Sequence, residues 1–404
     1  MPARVDCDPR HPDFYRQPYV HYTRWHADHP VFFWEQYGMW CFARFADVNA
    51  LLRDARFGRQ ITHKLSREQL GWAPRPQRLC AFDAVEAHSL LNLEPPAHTA
   101  MRALVTKAFV GRRVERMRDD IVALVRGRLD AMAPSGSADL IASLAMPVPA
   151  EVIAAMVGVP GEHVPDLLRW SHAMVKVYTL QQSEDDDRAA NAAATAFSRF
   201  VHERIAAKRR QPGDDLLSHL IAVRTDGTAL SDAEIVSTVV LLLNAGHEAS
   251  VHLTGNAVHT LLGEGHDTAV LFADTARTRA TANEVMRHCT PLHLFTRYAL
   301  EDVELASGVS VRQGEEIGLL LGAANRDPVR FERPDRFDPD RPDAGHVALG
   351  AGIHHCLGAV LAKMELEIVL SELFRRLPGL QLDGVPVVRD SYHFHGLEAL
   401  HVQW

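Results

Sequence analysis

Leu349-Gly350-Ala351-Gly352-Ile353-His354-His355-Cys356-Leu357-Gly358-Ala359 is the stretch that decides how this chain reads. Two glycines ahead of the cysteine permit a tight turn and a close backbone approach. An amphipathic helical pattern follows at once, from Ala359 to about Arg376. A thiolate in front of a helix N-terminus is stabilised by backbone N–H donors and by the positive end of the helix dipole. That is the environment a metal-binding sulfur needs. On local chemistry alone, a buried free cysteine at a strand-to-helix turn reads equally well. A zinc site from His354, His355 and Cys356 reads less well, because adjacent ligands chelate poorly and no partner cluster accompanies them.

Around this loop stand 404 residues, 47% hydrophobic and 23% charged, with a net charge of -8. The length is ample for a large core. The mild acidic balance lacks the clustered basic footprint of a nucleic-acid binder. Five cysteines (Cys7, Cys41, Cys80, Cys289, Cys356) are odd in number and scattered, so they form neither a disulfide framework nor a CxxC zinc pattern. The N-terminus has no charged-then-apolar signal pattern. The apolar run Val236 to Ala245 falls well short of the roughly 20 residues a spanning helix needs. A cytoplasmic protein without a membrane partner is expected.

The first 95 residues mix aromatic and β-branched runs with prolines and read as a small sheet interleaved with short helices. From Pro96 the apolar spacing turns helical, over Val114–Met132, Asp139–Met156, Ala189–Lys208 and Asp215–Ala222. Ser231 with Glu234 forms a capping box ahead of the run Ile235–Leu243. Nothing stops that helix before Gly263 and Gly265, which predicts about 30 residues and about 45 Å. A further helix follows Asp274 and runs through Arg287. Strands then alternate over Leu294–Val311 with a turn at Ser307-Gly308, an irregular run spans Arg326–Pro342, and the C-terminus reads as a strand hairpin. The fold class is mainly α with minor β. One domain over 1–404 is expected, its β-rich part covering about 1–95.

Gly350-x-Gly352-x-His354-x-Cys356-x-Gly358 resembles the haem-binding loop of cytochrome P450 enzymes. The resemblance implies the soluble bacterial type of that fold, with its long central helix crossing the haem. It implies haem b (iron protoporphyrin IX) as cofactor and Cys356 as the metal ligand, in a loop shaped by Gly350 and Gly358. The family usually has Phe where this chain has Leu349, so the sulfur keeps an apolar shield but a different hydrogen-bonding and redox setting is expected. Glu284-Val285-Met286-Arg287 is similar to the family's ExxR pair, whose members share one helix face. There the resemblance implies a structural network joined by an arginine of the irregular run, Arg333 or Arg336 near Phe337. His98-x-x-x-Arg102, Arg297 and His354 match the family's haem-propionate partners. Without the resemblance, His98 and Arg102 read as a solvated pair.

Ala245-Gly246-His247-Glu248-Ala249-Ser250 resembles the oxygen-activation segment, in which small residues let the helix pass close to the iron. An acid beside a hydroxyl normally relays protons there. This chain has Ala249 at the usual Thr position, and Ser250 lies about 100° further round the helix. Three readings stay open: water held by Glu248 and the Gly246 backbone, a substrate hydroxyl, or a reaction that needs less proton relay. The first two are favoured. His247 and His252 read as satisfied helix histidines, since a second axial histidine would block oxygen.

By the same resemblance, the substrate pocket draws on Phe82 to Leu93 (Phe82 and Leu91 foremost), Val175 to Leu180, Leu292, Leu294, Phe295 and Phe394. His88, Asn92, His293 and Thr296 are its polar points. Such a lining suits a small, mostly apolar organic substrate with a few hydrogen-bonding groups. The implied activity is a dioxygen-dependent monooxygenase. Its electrons come from a ferredoxin with an NAD(P)H-dependent ferredoxin reductase, steered by Arg102, Lys107, Arg112, Arg113 and Lys363. Oxidative coupling or dehydrogenation is an alternative raised by Ala249, and a non-catalytic haem sensor is a more distant one.

Overall fold

The computed structural model describes residues 3–109, 111–178, 182–225, 227–342 and 345–404. Thr179 and Leu180, and the side chains of Arg112 and Arg113, lie outside the described residues. The chain divides into two compact units, one of Met1–Leu65, Val122–Ala145 and Ala249–Trp404, the other of Ser66–Ile121 and Met146–Glu248. Helices dominate and strands are few, the class expected from sequence.

The first unit is built on a six-stranded sheet. Its strands are β1 (Ala3–Val5), β2 (Val31–Trp34), β3 (Met39–Phe42), β4 (Phe57–Gly58), β5 (Leu294–Ala299) and β6 (Glu316–Leu320), in the order β1-β2-β3-β6-β5-β4. The N-terminal strands are therefore completed by two from the last third of the chain. The alternation of strand side chains feeds two cores. Phe42, Ala299, Ile317 and Leu319 enter one. Cys41, Leu294 and Leu320 enter the other, with Trp25, Phe32 and Trp34. At Gly318 a Cβ would fall 2.6 Å from Cys41 Sγ, so only glycine lets β3 and β6 pair in this register.

In the second unit, helices pack on one another: α1 (Ala97–Ala108), α2 (Pro147–Val157), α3 (Val164–Val175) and α4 (Glu184–Arg210). α4 opens with a capping box between Ser183 and Asp186, carries four acids in its first turn and three basic residues in its last. Both ends thus complement the helix dipole. Gly158 ends α2 at φ +83, where a Cβ would strike Asp215.

The long helix α5 covers Asp232–Gly263, 32 residues, or about 48 Å. Its predicted capping box is present: Ser231 N–H donates to Glu234 Oε2 at 2.7 Å, and Glu234 N–H donates to Ser231 Oγ at 3.3 Å. Helices α6 (Thr275–His288) and α7 (Ala359–Arg376) follow within a residue or so of expectation.

One expected helix is different. Within 139–156 only Pro147–Val157 is α-helical, preceded by a strand at Ser137–Asp139 and a π-turn at Ile141–Ala145. The Asp139 carboxylate accepts from both Ile141 N–H and Leu400 N–H, and 137–139 pairs antiparallel with His401–Gln403. A distant strand decides this segment, which local periodicity does not register. Among the described residues, no helix is long and apolar enough to cross a membrane.

Candidate functional site

Cys356 is half-buried, and its backbone N–H donates to the Leu349 carbonyl at 3.0 Å. The loop that carries it turns at Gly350 (φ +69) and Gly352 (φ +70), conformations that glycine adopts without strain. At Gly352 the loop is pressed against the chain at Leu52: a Cβ there would lie 2.4 Å from the Leu52 carbonyl oxygen. Gly358 caps α7 two residues after the sulfur, and a Cβ on it would meet no protein atom within 4 Å. A half-buried thiol ahead of an 18-residue helix, beside a bare glycine backbone, is a donor set that fits a flat macrocycle ligated through sulfur. His354 is half-buried in the same loop and His355 is exposed. Neither joins Cys356 in a compact ligand cluster among the described residues.

Arg297 on β5 is 2% exposed. Its guanidinium donates to the Thr296 carbonyl at 2.8 Å and lies 5.5 Å from the Phe295 ring centroid. Arg59 stacks on the same ring at 5.2 Å and also donates to Thr296 O. In the second unit, His98 is buried in the first turn of α1, and Arg102, half-buried, follows one turn later. Burial, and then the Arg102 charge, hold the His98 imidazole below its ordinary range.

The ExxR pair is a buried ion pair. Arg287 Nε and Nη2 donate to the two oxygens of Glu284 at 2.8 and 2.7 Å. The third member corrects the sequence expectation: it is Arg341, whose Nε donates to Glu284 Oε1 at 3.0 Å. Arg333 and Arg336 instead lend their backbone carbonyls, to Arg341 at 2.8 and 2.6 Å. The reason lies in the turn. Arg333 sits at φ +47 with its side chain 62% exposed, whereas the Arg341 side chain is 7% exposed.

On α5, Ala245 is exposed and Gly246 and Ala249 are partly so, while His247 and Glu248 are buried. Both nearby histidines have partners, as their satisfied reading requires. His247 Nε2 meets the Met146 carbonyl at 3.1 Å, and His252 Nε2 meets Arg389 at 2.9 Å. Ser250 is engaged by Glu365 of α7, a fully buried acid whose carboxyl burial pushes up to about 8. Sequence reasoning missed Glu365. The signal was a charged residue on the core face of α7, between Met364 and Leu366.

The pocket candidates are placed unevenly. Leu292 and Phe394 are brought side by side as an isolated antiparallel bridge. Phe82 is buried, its ring 5.9 Å from that of Tyr178, and Leu91 is half-buried. Phe295 lies under the two arginines. Leu294, one residue earlier on the strand, points to the opposite face and belongs to the aromatic core at 3% exposure.

The family profile described as Cytochrome P450 matches residues 258–381. Cytochrome P450 107B1 of Saccharopolyspora erythraea is 38% identical over 370 residues, 90% of this chain and 89% of that one. The 6-deoxyerythronolide B hydroxylase of the same organism is 34% identical over 406 residues, 99% of this chain and 98% of that one. Among solved structures, the Bacillus subtilis bacillaene polyketide synthase cytochrome P450 PksS superposes with a TM-score of 0.87 at 31% identity, covering 98% of this chain and 99% of that one.

Proposed function

Because the chain belongs to the cytochrome P450 family of haem b-binding, dioxygen-activating monooxygenases, we propose that Cys356 is its iron ligand. His98, Arg102, Arg297 and His354 would hold the propionates. The observation that carries this assignment is the half-buried Cys356 thiol in its two-glycine turn ahead of α7. When bound, the haem supplies the oxygen-activating centre. Everything else falls to the chain. Glu284, Arg287 and Arg341 form one buried charge network that ties α6 to the irregular run, with Arg287 also donating to the Asn325 and Pro334 carbonyls. Leu349 shields the sulfur without an aromatic ring. Ala245, Gly246 and Ala249 keep α5 narrow on one line, and Glu248 is the acid placed beside it.

Ala249 brings no hydroxyl, and Ser250 is committed to Glu365. Protons are therefore carried by water held at Glu248 and the Gly246 backbone, or by a hydroxyl of the substrate. Glu365, neutral near pH 7, is a reserve of one proton at its carboxyl, linked to Ser250 Oγ. The substrate is a small, mostly apolar organic molecule with a few polar groups; Leu292, Phe295 and Phe394 are the candidate contacts of the first unit, and Phe82 and Leu91 those of the second. The likeness to a protein named for polyketide synthesis supports that class.

Electrons come from a ferredoxin and its NAD(P)H-dependent reductase, which suits a cytoplasmic enzyme. Exposed Ile353, Val360 and Lys363 around the cysteine loop support docking of an acidic partner. Lys107 contributes less, since its ammonium already donates to the Arg224 carbonyl at 2.8 Å. The test of the ligand is the reduced carbon-monoxide difference spectrum. The thiolate band is expected for wild type and absent in Cys356→Ala, and a band that survives the substitution refutes the assignment. NAD(P)H consumption and product formation with a surrogate ferredoxin and reductase then test the electron route.

A further inference from the structure

The buried acid of α5 has neighbours that the oxygenase reading does not use. The Glu248 side chain is 3% exposed, and His172 on α3 brings Nε2 to 3.9 Å from its Oε1. That gap is too long for a hydrogen bond. The His172 and His247 ring centroids are 5.5 Å apart. One ligand atom from each of His172, His247 and Glu248 lies within 4.8 Å of the other two. Zinc bound tetrahedrally at its usual N and O distances holds its ligand atoms roughly 3.3 Å apart, so the three groups need only draw together slightly. His172 can do so cheaply, with its side chain 41% exposed.

His247 is set up for the same role. Its Nε2 lies 3.1 Å from the Met146 carbonyl, an acceptor, so that nitrogen carries the proton and Nδ1 is the basic one. A backbone carbonyl on the far nitrogen is the usual way a metal-binding imidazole is oriented. Two imidazoles and one carboxylate select a borderline divalent cation over calcium or magnesium, which prefer oxygen.

We propose that His172, His247 and Glu248 form a binding site for one divalent ion of the zinc class, with three protein ligands and a fourth position open to water. Bound zinc holds the Glu248 carboxylate as a ligand and withdraws it from proton traffic. That consequence rests on the oxygenase reading; the site itself does not.

Titration calorimetry of Zn2+ into the untagged, haem-loaded protein, followed by zinc-edge X-ray absorption, tests it. One equivalent is expected, on nitrogen and oxygen at about 2.0–2.2 Å with no sulfur near 2.3 Å. His172→Ala and Glu248→Gln should each weaken binding about tenfold or more, with the carbon-monoxide spectrum and melting temperature of His172→Ala unchanged. Equal affinity in wild type and both variants, no binding, or sulfur in the zinc shell overturns the proposal. Heat and absorption are read independently of turnover, so failure of the oxygenase reading would leave this result standing.

Discussion

Glu365 offers the sharpest test of the buried chemistry. It is fully buried on α7, its carboxyl is pushed up to about 8 from an ordinary 4.5 by burial, and the hydrogen bond with Ser250 opposes that rise. The folded protein therefore keeps a proton that the unfolded chain releases. The stability this group allows is fully present below pH 4.5 and is lost as pH rises towards 8. Each pH unit in that window removes about 1.4 kcal/mol, and the flattening near pH 8 leaves a loss of about 2 kcal/mol between pH 6 and pH 8. Glu365→Gln preserves the shape and hydrogen-bonding capacity of the neutral acid but does not titrate. Guanidinium unfolding of the haem-loaded protein, followed by far-ultraviolet circular dichroism across pH 6–8, should show the variant gaining about 2 kcal/mol on wild type over that range. Infrared spectra should show a protonated-carboxyl stretch at pH 7 in wild type only. Parallel pH profiles, or a carboxyl already ionised at pH 6, would refute the reasoning.

The other predictions are briefer. Arg341→Ala strips a partner from a buried carboxylate and should lower stability by about 3–5 kcal/mol, against no more than about 0.5 kcal/mol for Arg333→Ala; thermal melts compare them. Gly352→Ala drives a Cβ into the Leu52 carbonyl at positive φ. It should cost at least about 1–3 kcal/mol and diminish the thiolate band in the carbon-monoxide spectrum. Burial holds His393 and His395 down at about 4 from an ordinary 6.5. The unfolded chain takes up those protons first as pH falls, so each group removes about 1.4 kcal/mol per pH unit between 6.5 and 4; His393→Gln should make the acid limb of a stability profile shallower. Ala249→Thr should change product formed per NAD(P)H and the hydrogen peroxide released, and unchanged values of both would count against a water or substrate relay.

Sequence by itself determined the pieces whose causes are local. The cysteine turn follows from two glycines and a helix start. The 32-residue helix follows from one capping box and an unbroken apolar run. The Glu284–Arg287 pair follows from three-residue spacing on one helix. Tertiary structure decided whatever needed a partner far along the chain. Arg341 rather than Arg333 or Arg336 completes the charge network, because an irregular turn, with no period to read, sets which side chain points inward. Asp139 leaves the helix its neighbours suggest because the C-terminal strand offers it hydrogen bonds. Leu294 and Phe295 look alike in sequence, yet the sheet sends one to the aromatic core and the other beneath two guanidinium groups. Ser250 lacked a visible role until α7 brought Glu365 to it. Local propensity and spacing are printed in the chain, but a pairing across a hundred residues exists only once the fold has brought its two ends together.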